Sequence, residues 1–378
     1  MPSTRNSVGG LHFELTWRGK VIDTPADWPG PGYLSYPTVM FDDDRYKMWF
    51  AGWPHDWIYY AESSKPFATF EWNWREQAVR PGPCHPEVPA SPDPNNPSVC
   101  VYRVVRSSVY TDVPCDALPT PTPGALALND SWMTADPCVL RVVIDDQGHM
   151  RYYMWYTGTC YEGVHNSIFF AESLDGKVWT KKYRKVLLPT GHVGMCGAFV
   201  LPVDPQNLRG TQYGAGQSSV IQLPDRFYHY YRDTSVAPGE PIVRLIRLQG
   251  PFAEPDTWPP LAVNGLRTDG NESWDIKYHV PSGRMIAFAA REAAPCSVLI
   301  SVSKDPISAD AVTACEFEAP VQISMSDLGI PGDNMNNGCL LGNRTGWIEG
   351  RESAFYCGFG EQAHADTWTI GATHVLID

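Results

Sequence analysis

A chain of 378 residues with 42 acidic and 29 basic side chains has a net charge of −13, which offers no attraction to nucleic acid or an anionic lipid surface and favours a neutral or cationic small molecule. No run of about 18 apolar residues occurs and the first twenty residues lack an apolar leader, so neither a spanning helix nor membrane attachment is expected, and the location expected is cytoplasmic. Aromatic residues are abundant, 14 Trp, 18 Tyr and 14 Phe, and 34 Pro and 32 Gly punctuate them, a composition of many short strands joined by turns.

In chain order, "LHFELTWRGKVID" near the N-terminus reads as a strand without a copy elsewhere, suited to closing a ring. Residues 36–64, "YPTVMFDDDRYKMWFAGWPHDWIYYAESS", give an apolar strand, an Asp-rich turn, an aromatic strand and a third strand ending Ala-Glu-Ser. A fourth follows at "FEWNWREQAVRP". Residues 81–130 are a Pro-rich insertion and a candidate lid. The pattern then returns at 136–176, with MWYTG over MWFAG and IFFAESL over IYYAESS, and its fourth strand is "KVWTKKYRKVLLP". Weaker copies begin at Gln217, Asp275 and Asn337. Repeats of four antiparallel strands are propeller blades, and five of them predict an all-β, five-bladed β-propeller in which residues 1–378 form one domain.

Ten cysteines without a CxxC pair read as reduced thiols, and the spacing of Cys84, His85, Cys100 and Cys115 fits no structural zinc site. Nucleophile elbows, phosphate loops and dinucleotide fingerprints are absent. Three residues before the matching apolar positions Val39, Val139, Val220, Tyr278 and Leu340 stand Tyr36, Asp136, Gln217, Asp275 and Asn337, one per unit. In a propeller these would begin the innermost strands and ring a central pocket. Glu62 and Glu172 repeat at equivalent places and read as structural, and Trp49 and Trp155 as core. Trp53, Trp57, Trp132 and Trp274 are better placed to stack on a ligand.

The run of Asp-Pro, apolar strand, polar turn, "YMWYTG" and "FFAESLDGKVW" resembles the five-bladed propeller glycosidases, chiefly glycoside hydrolase family 43, with relatives among the fructosidases and mannoside phosphorylases. That resemblance implies a general base from the first blade, a tuning Asp from the second and a general-acid Glu from the third. Only the second survives, as Asp136; Tyr36 and Gln217 occupy the other two positions. An amide can be neither acid nor base, so the catalytic set is atypical. The candidates are Asp136, Asp275 and Tyr36 for catalysis, with Gln217, Asn337, His192, Arg291, Glu292, Trp274 and Trp132 for substrate. Arg232 or Arg291 would hold phosphate in a phosphorolytic scheme. No cofactor is expected, apart from the central calcium or other ion that such relatives sometimes carry. Three functions stay open: an atypical glycosidase-like enzyme using water or phosphate, a scaffold recruited to non-sugar cyclisation, elimination or hydrolysis, and a sugar-binding propeller without catalysis.

Overall fold

The computed structural model describes residues 3–25, 27–28, 33–52, 57–79, 133–159, 166–187, 193–197, 213–224, 226–234, 241–247, 261–268, 272–307, 314–361 and 368–378. The insertion at 81–130, His192 and the tryptophans at 53 and 132 lie outside these residues. The fold is all-β and propeller-like, and its one described α-helix is the single turn Met325–Leu328. None of its described helices is long and apolar enough to cross a membrane.

The strands form five sheets, each starting from an inner strand. The inner strands are Leu34–Asp42, Met133–Val143, Ala215–Leu223, Ser273–His279 and Asn334–Leu340. From each, the chain meanders outward through antiparallel hairpins, as in Leu34–Asp42, Arg45–Gly52, Trp57–Ser63 and Glu71–Val79. The fifth sheet is completed from the other end of the chain. Leu11–Lys20 pairs antiparallel with Thr369–Ile377, setting Leu15 opposite Val375, and Ser3–Val8 adds the outermost strand. A strand without a repeat partner thus joins the first and last parts of the chain.

The aromatic strands are buried because each sheet packs face to face on its neighbour. Five hydrophobic clusters result, each drawn mainly from two adjacent sheets. The first and second sheets share Trp49, Tyr152, Tyr156, Phe169 and Trp179; the second and third share Trp155, Phe170, Val220 and Tyr231. Third with fourth, fourth with fifth, and fifth with first follow the same rule. Trp49 also donates its indole N–H to the Gly176 carbonyl at 2.8 Å, tying the first sheet to the second. Glu62 accepts from Tyr60 at 2.8 Å, and Glu172 pairs with Arg151 at 2.7 Å, so both repeated glutamates are held by neighbouring side chains.

At the far ends of the inner strands, residues 341–350 cross the ring. Gly342–Asn343 pairs in parallel with the first inner strand and Trp347–Ile348 with the fourth. Between them the Arg344 carbonyl accepts from Arg141 N–H at 2.9 Å and the Thr345 carbonyl from Gln222 N–H at 3.0 Å. One loop of the fifth sheet therefore bonds to the inner strands of the other four. It closes the end opposite the pocket.

Candidate functional site

Four of the five inner strands carry a β-bulge near their first residues. Pairing with the next strand shifts between Ser35 and Thr38, Ala135 and Cys138, Gly216 and Ser219, and Asn336 and Gly338. Within those bulges Tyr36, Asp136, Gln217 and Asn337 take φ of 53°, 47°, 55° and 29°, a left-handed conformation that non-glycine residues seldom adopt. A bulge interrupts alternation and re-aims one side chain. All four residues, together with Asp275 of the unbulged fourth strand, line a single pocket with Ser218, Trp274 and the thiols of Cys138 and Cys339. Its volume among the described residues is about 30 Å³, room for roughly two water molecules.

Asp136 sits among neutral donors. Tyr213 Oη donates to one carboxylate oxygen at 3.1 Å and Asn337 Nδ2 to the other at 3.1 Å. Thr157 also bonds to it, its Oγ1 in turn accepting from the Gln217 backbone N–H at 2.9 Å, and Arg232 acts on it through space. Burial outweighs these partners and pushes the carboxyl up to about 6. Gly216 makes the arrangement possible: a Cβ there would lie 2.4 Å from Tyr213 Oη and 2.6 Å from Thr157 Oγ1. Tyr213 and Thr157 were not among the sequence candidates, although Thr157 falls in the repeated "MWYTG" motif.

Asp275 is in a different state. Lys277 Nζ donates to Oδ1 at 2.7 Å, Ser219 Oγ lies 2.8 Å from the same oxygen, and Leu340 N–H donates to Oδ2 at 2.6 Å. The carboxylate joins the third and fifth inner strands to the fourth through Ser219 and Leu340, with the buried ammonium of Lys277 on its own strand balancing its charge. The resemblance allowed a central cation, and Asp275 with the two thiols beside it does not offer one a ligand set. Hard cations take six or more oxygens. Here the one floor carboxylate has both oxygens filled, and burial pushes the thiols of Cys138 and Cys339 up, keeping them protonated. No cluster of three His, Cys, Asp or Glu residues suited to a metal occurs among the described residues.

The remaining candidates divide. Trp274 reaches the pocket wall, yet its ring is packed in the core and its indole N–H is bonded to the Arg267 carbonyl at 2.7 Å. Arg291 lies 3.4 Å from the buried Glu272, and neither it nor Glu292 lines the pocket. Arg232 stacks over Tyr213, 4.8 Å from the ring centroid, behind the pocket.

No protein-family model matches the chain, and no curated protein does. Solved structures do. An α-L-arabinofuranosidase from Podospora anserina, solved with cellotriose, is similar at a TM-score of 0.55 and 11% identity over 95% of this chain and 97% of that one. A family 62 α-L-arabinofuranosidase catalytic domain from Coprinopsis cinerea gives 0.53 and 9% over 96% and 97%. A family 62 hydrolase solved with xylotriose gives 0.54 and 10% over 95% and 97%. The chain has the fold of the propeller glycosidases. At such identities the likeness extends to architecture alone, and the chemistry rests on the pocket described above.

Proposed function

We propose that the five sheets are the blades of a five-bladed propeller and that the chain is an atypical glycosidase-like enzyme, acting on a sugar or glycoside whose end enters the pocket ringed by Tyr36, Asp136, Gln217, Asp275 and Asn337. The observation that carries the reading is the fourfold strain: four non-glycine residues held at positive φ, at the same place in four strands, all turned to one pocket. Each such residue costs on the order of 1 kcal/mol, and strain of this kind persists where it serves a site.

In this scheme Asp136 is the proton-exchanging group. With its carboxyl at about 6, it is ionised at neutral pH and acts as a base toward water. Asp275, bound to Lys277, Ser219 and Leu340, anchors the wall, and Gln217 and Asn337 bind substrate. Tyr36 faces the same space. Among the described residues no Lys, Arg or His lines the pocket, which favours water over phosphate as the acceptor. Because Gln217 stands where the resemblance implies the acid, the leaving group departs without protonation, and activated glycosides are the expected substrates.

A panel of nitrophenyl glycosides, with and without phosphate, tests this. The expected result is turnover on at least one, phosphate-independent and reduced about a hundredfold or more by Asp136→Asn, while Gln217→Glu extends activity to poorer leaving groups. No turnover of any glycoside, or full activity in Asp136→Asn, contradicts it. A second reading, a binding propeller without catalysis, is favoured by the bound state of Asp275, and sugar binding without turnover would select it.

A further inference from the structure

We infer that the pocket selects a protonated amine carried on a sugar-like frame, read by Asp136 and by the side-chain carbonyl oxygens of Gln217 and Asn337. The inference rests on the sugar reading above and narrows its substrate class. Its first observation is that Gln217 Oε1 and Asn337 Oδ1 are both buried without a hydrogen-bond partner. Asn337 is only 5% exposed, and the bond from its Nδ2 to Asp136 fixes which end of the amide is left over. A buried acceptor without a donor costs about 1–3 kcal/mol, so an occupant that supplies donors is strongly preferred.

Both amides adjoin the same carboxylate, Asn337 directly through Nδ2 and Gln217 through Thr157, whose Oγ1 accepts from the Gln217 backbone N–H at 2.9 Å. Three acceptors therefore gather at the pocket, while their neighbours' donors are already spent on Asp136. A hydroxyl would bring one donor and two further acceptors, whereas a protonated amine brings two donors on a ring nitrogen, or three at a primary amine, and no acceptor. Charge agrees with this count. Asp275 is neutralised by Lys277 at 2.7 Å, but no ion pair within 4 Å meets Asp136 among the described residues. Arg232, stacked over the Tyr213 ring, acts on Asp136 only through space. Among the described residues the pocket thus holds one carboxylate without a direct ion-pair partner and no lining cation, and the chain's net charge of −13 draws cations toward it.

Calorimetric titration of the whole protein with the iminosugar analogues of L-arabinose, D-glucose and D-mannose, each beside its parent sugar, tests the inference. At least one ring amine is expected to bind about tenfold or more tighter than its parent, as charge-assisted bonds exceed neutral ones. Gln217→Met, which keeps the backbone N–H on Thr157 and removes the free acceptor, should erase most of that preference, with its melting temperature as the control for folding. Parent sugars binding as tightly as the amines would overturn the inference and leave the sugar reading standing. Amines binding where no sugar does would support it and count against the sugar reading. Failure of every probe overturns both.

Discussion

Asp136 and Asp275 were equivalent candidates by position, and their surroundings give them opposite roles. For Asp136 the folded carboxyl titrates at about 6, above the usual carboxylate range because of burial, so between about pH 4 and 6 the folded state holds a proton that the unfolded state has lost. Stability from this group is greatest in acid, falls across that window and is flat above it. Asp136→Asn should therefore be more stable than the parent at pH 8, by on the order of 2 kcal/mol, with the gain vanishing near pH 4 in paired urea titrations. A parent more stable than the variant at pH 8 contradicts this. For Asp275 the bond to Lys277 is the deciding feature, and Lys277→Met should cost about 3–5 kcal/mol by leaving a buried charge unpaired. Adding Asp275→Asn to that variant should recover much of the loss. The Asp-Ile-Lys spacing, two charges on one face of an inner strand, was a legible signal for this pair. Nothing in the sequence placed Tyr213 beside Asp136, because that contact spans 77 residues and depends on the missing Cβ of Gly216.

At the level of elements, the apolar rhythm identified the inner strands and the position in each that reaches the pocket. Period-two alternation could not show that four of those positions sit in bulges, since Tyr and Gln carry no preference for positive φ. The crossing loop at 341–350 carries no distinct signature in the sequence, although it bonds to the other four inner strands. Asn343 organises it, with Oδ1 accepting from Thr345 N at 2.9 Å and Trp347 N at 3.0 Å. Gly346 turns with φ of 80°, where a Cβ would come 3.2 Å from the Val220 carbonyl. Asn343→Ala is expected to cost about 1–2 kcal/mol and Gly346→Val more, read as lowered melting temperature. Unchanged melting in both variants would mean the loop does not brace the ring.

For the whole molecule, the two close repeats made the propeller visible because their aromatic strands are the inter-sheet cores, a pattern selection for packing keeps. The reaction was less legible, since it turns on which carboxylate is already paired. Ring closure comes from both ends, through the strand Leu11–Lys20 in the last sheet and the loop at 341–350 beneath the pocket. Among the described residues the open end is then the one ringed by Asp136, Gln217 and Asn337. The most direct test is the pH dependence of kcat/KM for the best nitrophenyl glycoside. The rate should fall below about pH 6 as Asp136 takes up its proton, with that limb lost in Asp136→Asn. A profile with the same limb in the variant, or none in the parent, would contradict it.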